Sequence, residues 1–441
     1  MYILRNIDSE LIKWKKDPGR KPLLLRGARQ VGKSSSVRKL GEGFEHFLEV
    51  NFEEHKRAHL LFEGDLTPQH ICDNLAVMFN MDIIPGKTLL FFDEIQVSLP
   101  AIASLRFFYE KMPELHVIAA GSLLEFALQE IPSFGVGRIR SMFMYPLSFN
   151  EFLAGSGQGK LLDMVRQADA GNPLQPPVHE KLTGIIKRFM LLGGMPEVLA
   201  KYIEGEDLRA CQQVLDDIII SYQADFARYK ERVPSSRIRE VFEAIPGQAG
   251  RKLVYRRISP DLNTEQIKEA IDLLIMAGIV IPVTHSSANG IPLGAEVNPK
   301  KRKMILIDTG IFQRLLKLDM GEWLFSDDFH LINKGNIAEQ FLGLEILKHA
   351  SCYDQATLYY WHREARNSNA EVDYVVQLGQ AIVPLEVKSG TKGSMNSMFL
   401  FQREKGIRYG CRFSMENFSE YVHIRVYPLY AYGNLAGVEE M

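Results

Sequence analysis

Residues at three places in this 441-residue chain have the types and spacing to do chemistry. One is the stretch Gly27-Ala28-Arg29-Gln30-Val31-Gly32-Lys33-Ser34, followed by Ser35. Triphosphate oxygens carry concentrated negative charge, and inward-pointing backbone N–H groups wrap them closely. Gly27 and Gly32 allow that approach, and a helix starting at the end of the loop adds N–H donors and partial positive charge. In the pattern Gly-x-x-x-x-Gly-Lys-Ser, Lys33 reaches the β- and γ-phosphates and the Ser34 hydroxyl ligates Mg²⁺. A second place is Asp93-Glu94. There Asp93 is suited to hold Mg²⁺, and Glu94 to orient and polarise an attacking water. The third joins Glu339, Asp373, Glu386 and Lys388. Carboxylates converging with a lysine hold Mg²⁺ or Mn²⁺ against a phosphodiester, where the metal activates water and Lys388 stabilises developing charge.

These residues need elements to position them. Pro22–Arg26 reads as a buried strand entering the glycine loop, and Ser35–Leu40 as the helix leaving it. A short helix over 7–17 precedes them. Phe47–Phe52 is a second strand, and Thr67-Pro68 opens a helix through about Met78. Thr88–Phe92 is an apolar strand that delivers Asp93 and Glu94 to its C-terminal end, the edge where ligands of open α/β sheets bind. His116–Ala120 is a further strand ending in Gly121-Ser122. Ser122 either contacts the γ-phosphate or water, or caps the helix Leu123–Leu128. An extra strand between loop and acids, together with Glu94, points to the AAA-like and RecA-like division of P-loop ATPases. Arg138 and Arg140 are candidates for a finger that offers charge to a phosphoryl transition state. Ser148 and Glu151 have capping-box spacing and start a helix.

Gly155 to about Pro177 reads as a polar surface excursion, followed by helices through Tyr229 and interrupted at Gly193-Gly194-Met195-Pro196-Glu197. From Ser236 to Asp308 the pattern is helix, turn, helix, strands. Asn263 and Gln266 box the second helix, whose face is Ile267, Ala270, Ile271, Leu273, Leu274 and Ala277, and Gly278 ends it. Ile279–Val283 and Lys303–Ile307 form an expected hairpin wing. Lys300-Lys301-Arg302-Lys303 is a basic run able to meet a DNA backbone. The helix itself shows Glu265, Glu269 and Asp272, a poor face for phosphates, so packing or protein contact is the favoured role. Farther on, Gly335 to about Leu347 is a helix carrying Glu339. Leu358–Trp361, Glu371–Val376 and Ala381–Lys388 are strands. Residues two apart on a strand share a face, so Glu386 and Lys388 point the same way, with Asp373 on the preceding strand.

Apolar and charged fractions of 46% and 24% are those of a globular protein, and a net charge of −2 supplies no global attraction to nucleic acid or anionic membrane. Cys72, Cys211, Cys352 and Cys411 are far apart and form no C-x-x-C pair, which argues against a zinc site and suits free thiols. The N-terminal residues contain no long apolar run, and the expected localisation is cytoplasmic with no membrane partner.

The glycine loop, Phe92-Asp93-Glu94-Ile95-Gln96, Gly121-Ser122, Gly137-Arg138 and Pro146–Leu153 together resemble a large bacterial and archaeal family of AAA-like ATPases with a shared C-terminal domain of unassigned function. The resemblance implies ATP as the nucleotide, with Mg²⁺. It departs at Ser34, where most members have threonine, and the hydroxyl is retained. The C-terminal residues resemble the PD-(D/E)XK nuclease superfamily. Asp373 matches the motif's acid, Glu386-Val387-Lys388 its E-x-K, and Glu339 the acid of the first helix, while Val372 stands where the motif has proline. The expected fold class is α/β: a P-loop, AAA-like ATPase core with a parallel sheet (1–155), a helical lid (156–232), a winged helix (233–320) and a nuclease-like α/β domain (325–441). The expected function is ATP hydrolysis controlling metal-dependent DNA or RNA cleavage. The alternative is a nucleotide-gated protein- or DNA-interaction protein whose nuclease-like domain is silent. The oligomeric state is left open.

Overall fold

The computed structural model describes residues 1–131, 137–229, 233–320, 334–365, 369–390 and 393–436. The expected boundaries at 232 and 325 fall outside or beside those ranges. Two units emerge: one is Met1–Tyr145 with Met276–Gly278 and Ser351–Gln355, and the other begins at Pro146.

The first unit is built on a five-stranded parallel sheet. Its strands are β1 (Leu23–Arg26), β2 (His46–Asn51), β3 (Thr88–Asp93), β4 (His116–Ala120) and β5 (Arg140–Phe143), in the order β2-β3-β4-β1-β5. β4 therefore separates the strand feeding the glycine loop from the strand carrying the acids, as the sequence predicts. β3 and β4 are buried along their whole length. That follows from helices covering both faces of a parallel sheet, and it explains runs such as Leu89-Leu90-Phe91-Phe92 without alternation. The helices are α1 (Asn6–Lys16), α2 (Lys33–Gly41), α3 (Pro68–Phe79), α4 (Leu99–Lys111) and α5 (Leu124–Glu130). Phe92 packs in the core with Phe52, Phe62 and Phe108.

The second unit opens with α6 (Phe149–Gly155), whose capping box forms: Ser148 N donates to Glu151 Oε2 at 2.7 Å and Glu151 N to Ser148 Oγ at 3.2 Å. The polar excursion contains a helix the sequence reading missed, α7 (Gly159–Gln167), which buries Leu161, Leu162 and Val165. Then come α8 (Pro176–Leu192), α9 (Pro196–Gly205), α10 (Leu208–Tyr229), α11 (Ser235–Ala244) and α12 (Thr264–Met276). The α12 box forms through Asn263 and Gln266 at 3.0 and 2.9 Å.

The hairpin expected as a wing forms, but as part of a larger sheet. Its strands, β6 (Val280–Ser286) and β7 (Val297–Leu306), end an eight-stranded mixed sheet ordered β12-β13-β11-β10-β9-β8-β6-β7. The other strands are β8 (Leu358–His362), β9 (Glu371–Leu378), β10 (Ala381–Val387), β11 (Gly410–Ser414), β12 (Ser419–Tyr421) and β13 (Ile424–Pro428). The join is a parallel pairing of Val283 with Leu358 through His285 with Tyr360. No local pattern announces a pairing between segments so distant in the chain, and that is why the reading stopped at a hairpin.

The Gly193-Gly194 turn is a junction rather than a simple helix break. Gly193 has φ 79°, and a Cβ there would lie 2.1 Å from Asp308 Oδ1. Asp308 accepts from Gly194 N at 2.6 Å, while capping α13 (Thr309–Leu315) through Gly310 N at 2.8 Å and Ile311 N at 3.1 Å. Gly194 O receives Leu147 N at 2.7 Å. Among the described residues, no helix is long and apolar enough to cross a membrane.

Candidate functional site

The glycine loop follows β1 directly. Gly27 has φ 142°, and a Cβ on it would sit 2.2 Å from the Met144 carbonyl, so only glycine fits. Gly32, at φ 100°, is the N-cap of α2. Gln30 also adopts a left-handed conformation, φ 64°, and is exposed, as is Ser35. Ala28 and Val31 are buried. Arg5 ties this loop down: its guanidinium donates to the Val31 carbonyl at 3.0 Å and to the Tyr145 carbonyl at 2.7 Å. A Cβ on Gly278, which has φ 72°, would lie 3.4 Å from Ala28 N. Arg5 carried no motif signal, and Gly278 read only as a helix stop.

Lys33, the first residue of α2, is buried and folds back over the loop, donating to the carbonyls of Gly27 at 2.9 Å and Ala28 at 2.7 Å. Burial pushes its ammonium down to about 8, against the pull of Glu94 and Asp93. Ser34 Oγ donates to Asp93 Oδ1 at 3.0 Å. Burial pushes the Asp93 carboxyl up to about 6. A buried ammonium on carbonyls and a buried acid on a hydroxyl are groups that a phosphate and a divalent cation, respectively, would satisfy. The residues therefore fit Mg²⁺-nucleotide.

Glu94 lies just past β3 with φ 49°. Its Oε2 accepts from Gln96 Nε2 at 2.7 Å and from Ser122 Oγ at 3.5 Å. Ser122, on the turn after β4, does not cap α5, whose N-cap is Leu123. It reaches the second acid instead. The finger candidates are engaged elsewhere: Arg138 pairs with Glu110 of α4, and Arg140 pairs with Asp17 at 3.7 Å and faces the Tyr353 ring.

In the second unit the structure brings the C-terminal residues together. Lys388 Nζ donates to Glu386 Oε1 at 2.6 Å, and Asp373 Oδ2 accepts from Val387 N at 2.8 Å. Glu339 is reached through Lys303, a residue the sequence reading assigned to an exposed basic run. Lys303 is 1% exposed and donates to Glu339 Oε1 at 2.9 Å and to Glu371. β7 lies in the same sheet, so residue 303 faces the helix Lys334–His349 instead of solvent. Two more residues of the run are paired, Lys301 with Glu364 and Arg302 with Asp272 at 3.9 Å, while Lys300 is exposed. Burial alone lowers the Lys303 ammonium, but Glu339, Asp373 and Glu371 override it and hold it well above the lysine range. Asp373 is raised well above the carboxylate range by burial and by the charges of Glu339 and Glu386. Burial raises Glu386, against Lys388. Glu386 Oε2 is buried without a hydrogen-bond partner. Among the described residues, no three His, Cys, Asp or Glu side chains stand in a metal-holding group. Of the three acids expected as metal ligands, Glu339 is paired with Lys303, Glu386 with Lys388, and Asp373 with the Val387 backbone N–H.

Residues 19–153 match the model of an AAA domain. Residues 184–322 match a domain of unknown function (DUF8612), and residues 334–432 another (DUF4143). No curated protein matches the chain. Among solved structures it is similar to the Walker-type ATPase of Pyrococcus abyssi, at 16% identity over 72% of this chain and 96% of that one, TM-score 0.46. It is also similar to the Aeropyrum pernix ORC1 protein in complex with DNA, at 14% identity over 73% and 95%, TM-score 0.29. A signal-transduction ATPase from Pyrococcus horikoshii with a tetratricopeptide repeat sensor is similar at 10% identity over 78% and 45%, TM-score 0.29. The chain carries an AAA-type P-loop ATPase domain, followed by two domains whose function is unknown.

Proposed function

We propose that the first unit binds and hydrolyses ATP, and that nucleotide state governs what the C-terminal sheet does. The hydrolysis reading is carried by the Ser34–Asp93 hydrogen bond of 3.0 Å, which joins a loop hydroxyl to an acid 59 positions away. Mg²⁺ held there supplies charge neutralisation for the β- and γ-phosphates. Lys33 exchanges its loop carbonyls for phosphate oxygens, and the α2 N-terminus donates N–H groups to them. Glu94, beside Ser122, orients water for attack in line with the leaving oxygen. Arg138 remains a finger candidate only if its pair with Glu110 opens.

The test measures binding of a fluorescent ATP analogue and phosphate release in parallel. Lys33→Ala should lose at least ~10-fold in affinity and all turnover, whereas Glu94→Gln should bind ATP normally and turn over roughly 10²–10³-fold more slowly. Wild-type turnover in Lys33→Ala would sink the reading.

For the C-terminal site we propose metal-dependent cleavage of DNA or RNA, with Asp373 and Glu386 holding Mg²⁺ or Mn²⁺ and Lys388 stabilising charge. The partnerless Glu386 Oε2 supports a cation there. A second reading, a silent site on a domain that binds a protein or DNA partner, is favoured by Lys303, which already compensates Glu339 and Glu371. Mn²⁺ binding lost in Asp373→Asn, together with cleavage lost in Glu386→Ala, selects the first. Absence of both in the wild type selects the second.

A further inference from the structure

We propose that Gln96 is the positioning residue for Glu94, and that Gly121 lacks a side chain in order to admit it. The inference rests on the hydrolytic reading above and assigns a role to a residue that the proposed machinery does not use. Gln96 sits in the short turn Ile95–Val97 that follows β3 and the acids. Its Nε2 donates to Glu94 Oε2 at 2.7 Å, while its Oε1 is buried without a partner. The orientation of the amide follows from chemistry, because only the NH₂ end can face a carboxylate.

The space that Oε1 occupies is the second observation. A Cβ at Gly121 would lie 2.0 Å from Gln96 Oε1 and 3.1 Å from its Cδ. Gly121 is not among the residues with positive φ, so the amide, not backbone strain, excludes a side chain there. The next residue, Ser122, donates to the same Glu94 oxygen at 3.5 Å. Glu94 has left-handed backbone geometry. Two donors on Oε2 fix the carboxylate and leave Oε1 to receive the proton of an attacking water. The acid pair and the Gly-Ser turn, two motifs on neighbouring strands, thus act as one device with Gln96 as the link.

The experiment uses the full-length chain and measures steady-state ATP turnover beside analogue binding. Gln96→Met keeps the volume and removes the donor. It should lower kcat by roughly 10- to 100-fold with KM and analogue affinity within about threefold of wild type. Gly121→Ala should show the same split by pushing the amide away. In a Glu94→Gln background Gln96→Met should have no further effect, because it acts through Glu94. A Gln96→Met protein with wild-type or higher kcat overturns the inference and leaves the hydrolytic reading intact. So does a defect that persists undiminished in the Glu94→Gln background. A wild-type protein that binds the analogue and never turns over ATP overturns both.

Discussion

His116 shows how much one residue can contribute without touching the site. It opens β4, is 5% exposed, and donates from Nε2 to the Lys15 carbonyl at 3.0 Å, while Nδ1 is buried without a partner. Trp14 and Phe44 meet its ring edge-on at 5.7 and 4.8 Å. Burial pushes its pKa down to about 4, the main cause, with the Lys15 carbonyl opposing. The folded state therefore refuses a proton that the unfolded chain accepts below about 6.5, and stability falls as pH drops through that window. Between pH 7 and pH 5 the loss from this group should be about 2 kcal/mol. Urea unfolding of wild type and His116→Phe at both pH values tests it: the variant should lose less on acidification, and equal losses would refute the assignment. At this scale the glycine loop and the acids were readable because their chemistry is local. Gln96 was visible as part of a resemblance, but its role depends on the space left by Gly121, which is distant in sequence.

Elements show where local grammar suffices and where it stops. The capping boxes at Ser148–Glu151 and Asn263–Gln266 formed as spaced, because a cap needs only its own helix. The Gly193-Gly194 turn is different, since its partners are Leu147 and Asp308. Asp308→Ala should destabilise the protein by about 2–4 kcal/mol, since it removes the α13 cap and leaves Gly194 N–H buried and unpaired. Thermal melting gives the value, and a shift equivalent to less than about 1 kcal/mol would show that water replaces the carboxylate. The helix α7 was missed because its surroundings, rich in Gly, Gln and Pro, outweighed a three-residue apolar face.

Across the whole eight-stranded sheet, charge compensation is the decisive feature. Lys303 comes from β7, Glu371 from β9 and Glu339 from the helix Lys334–His349, and only the assembled sheet puts them within reach. Removing the ammonium leaves the half-buried Glu339 and Glu371 carboxylates without their shared partner, so Lys303→Met should cost about 3 kcal/mol at pH 7.5. Burial raises the folded-state pKa values of the neighbouring Asp373 and Glu386, so their protonation lightens the uncompensated charge, and the penalty should shrink as pH falls toward 5.5. Melting curves at the two pH values decide it; a penalty that grows on acidification would contradict the sign. Addition of Mn²⁺ at pH 7.5 should restore part of the loss if Asp373 and Glu386 hold a cation.

By itself, the sequence determined the phosphate loop, the acids at the end of β3, the strand inserted between them and most helix starts, because each depends on neighbours a few residues away. It also placed Glu386, Lys388 and Asp373 on strands that do meet. The tertiary structure alone decided that β6 and β7 belong to the C-terminal sheet, and that Lys303, the last residue of the basic run, turns inward to Glu339 and Glu371. The same holds for Ser122 and Gln96, which converge on one oxygen of Glu94. The physical reason is common to all three: hydrogen bonding between distant strands and the burial of charge are settled by which surfaces meet, and no period or spacing along the chain encodes that meeting.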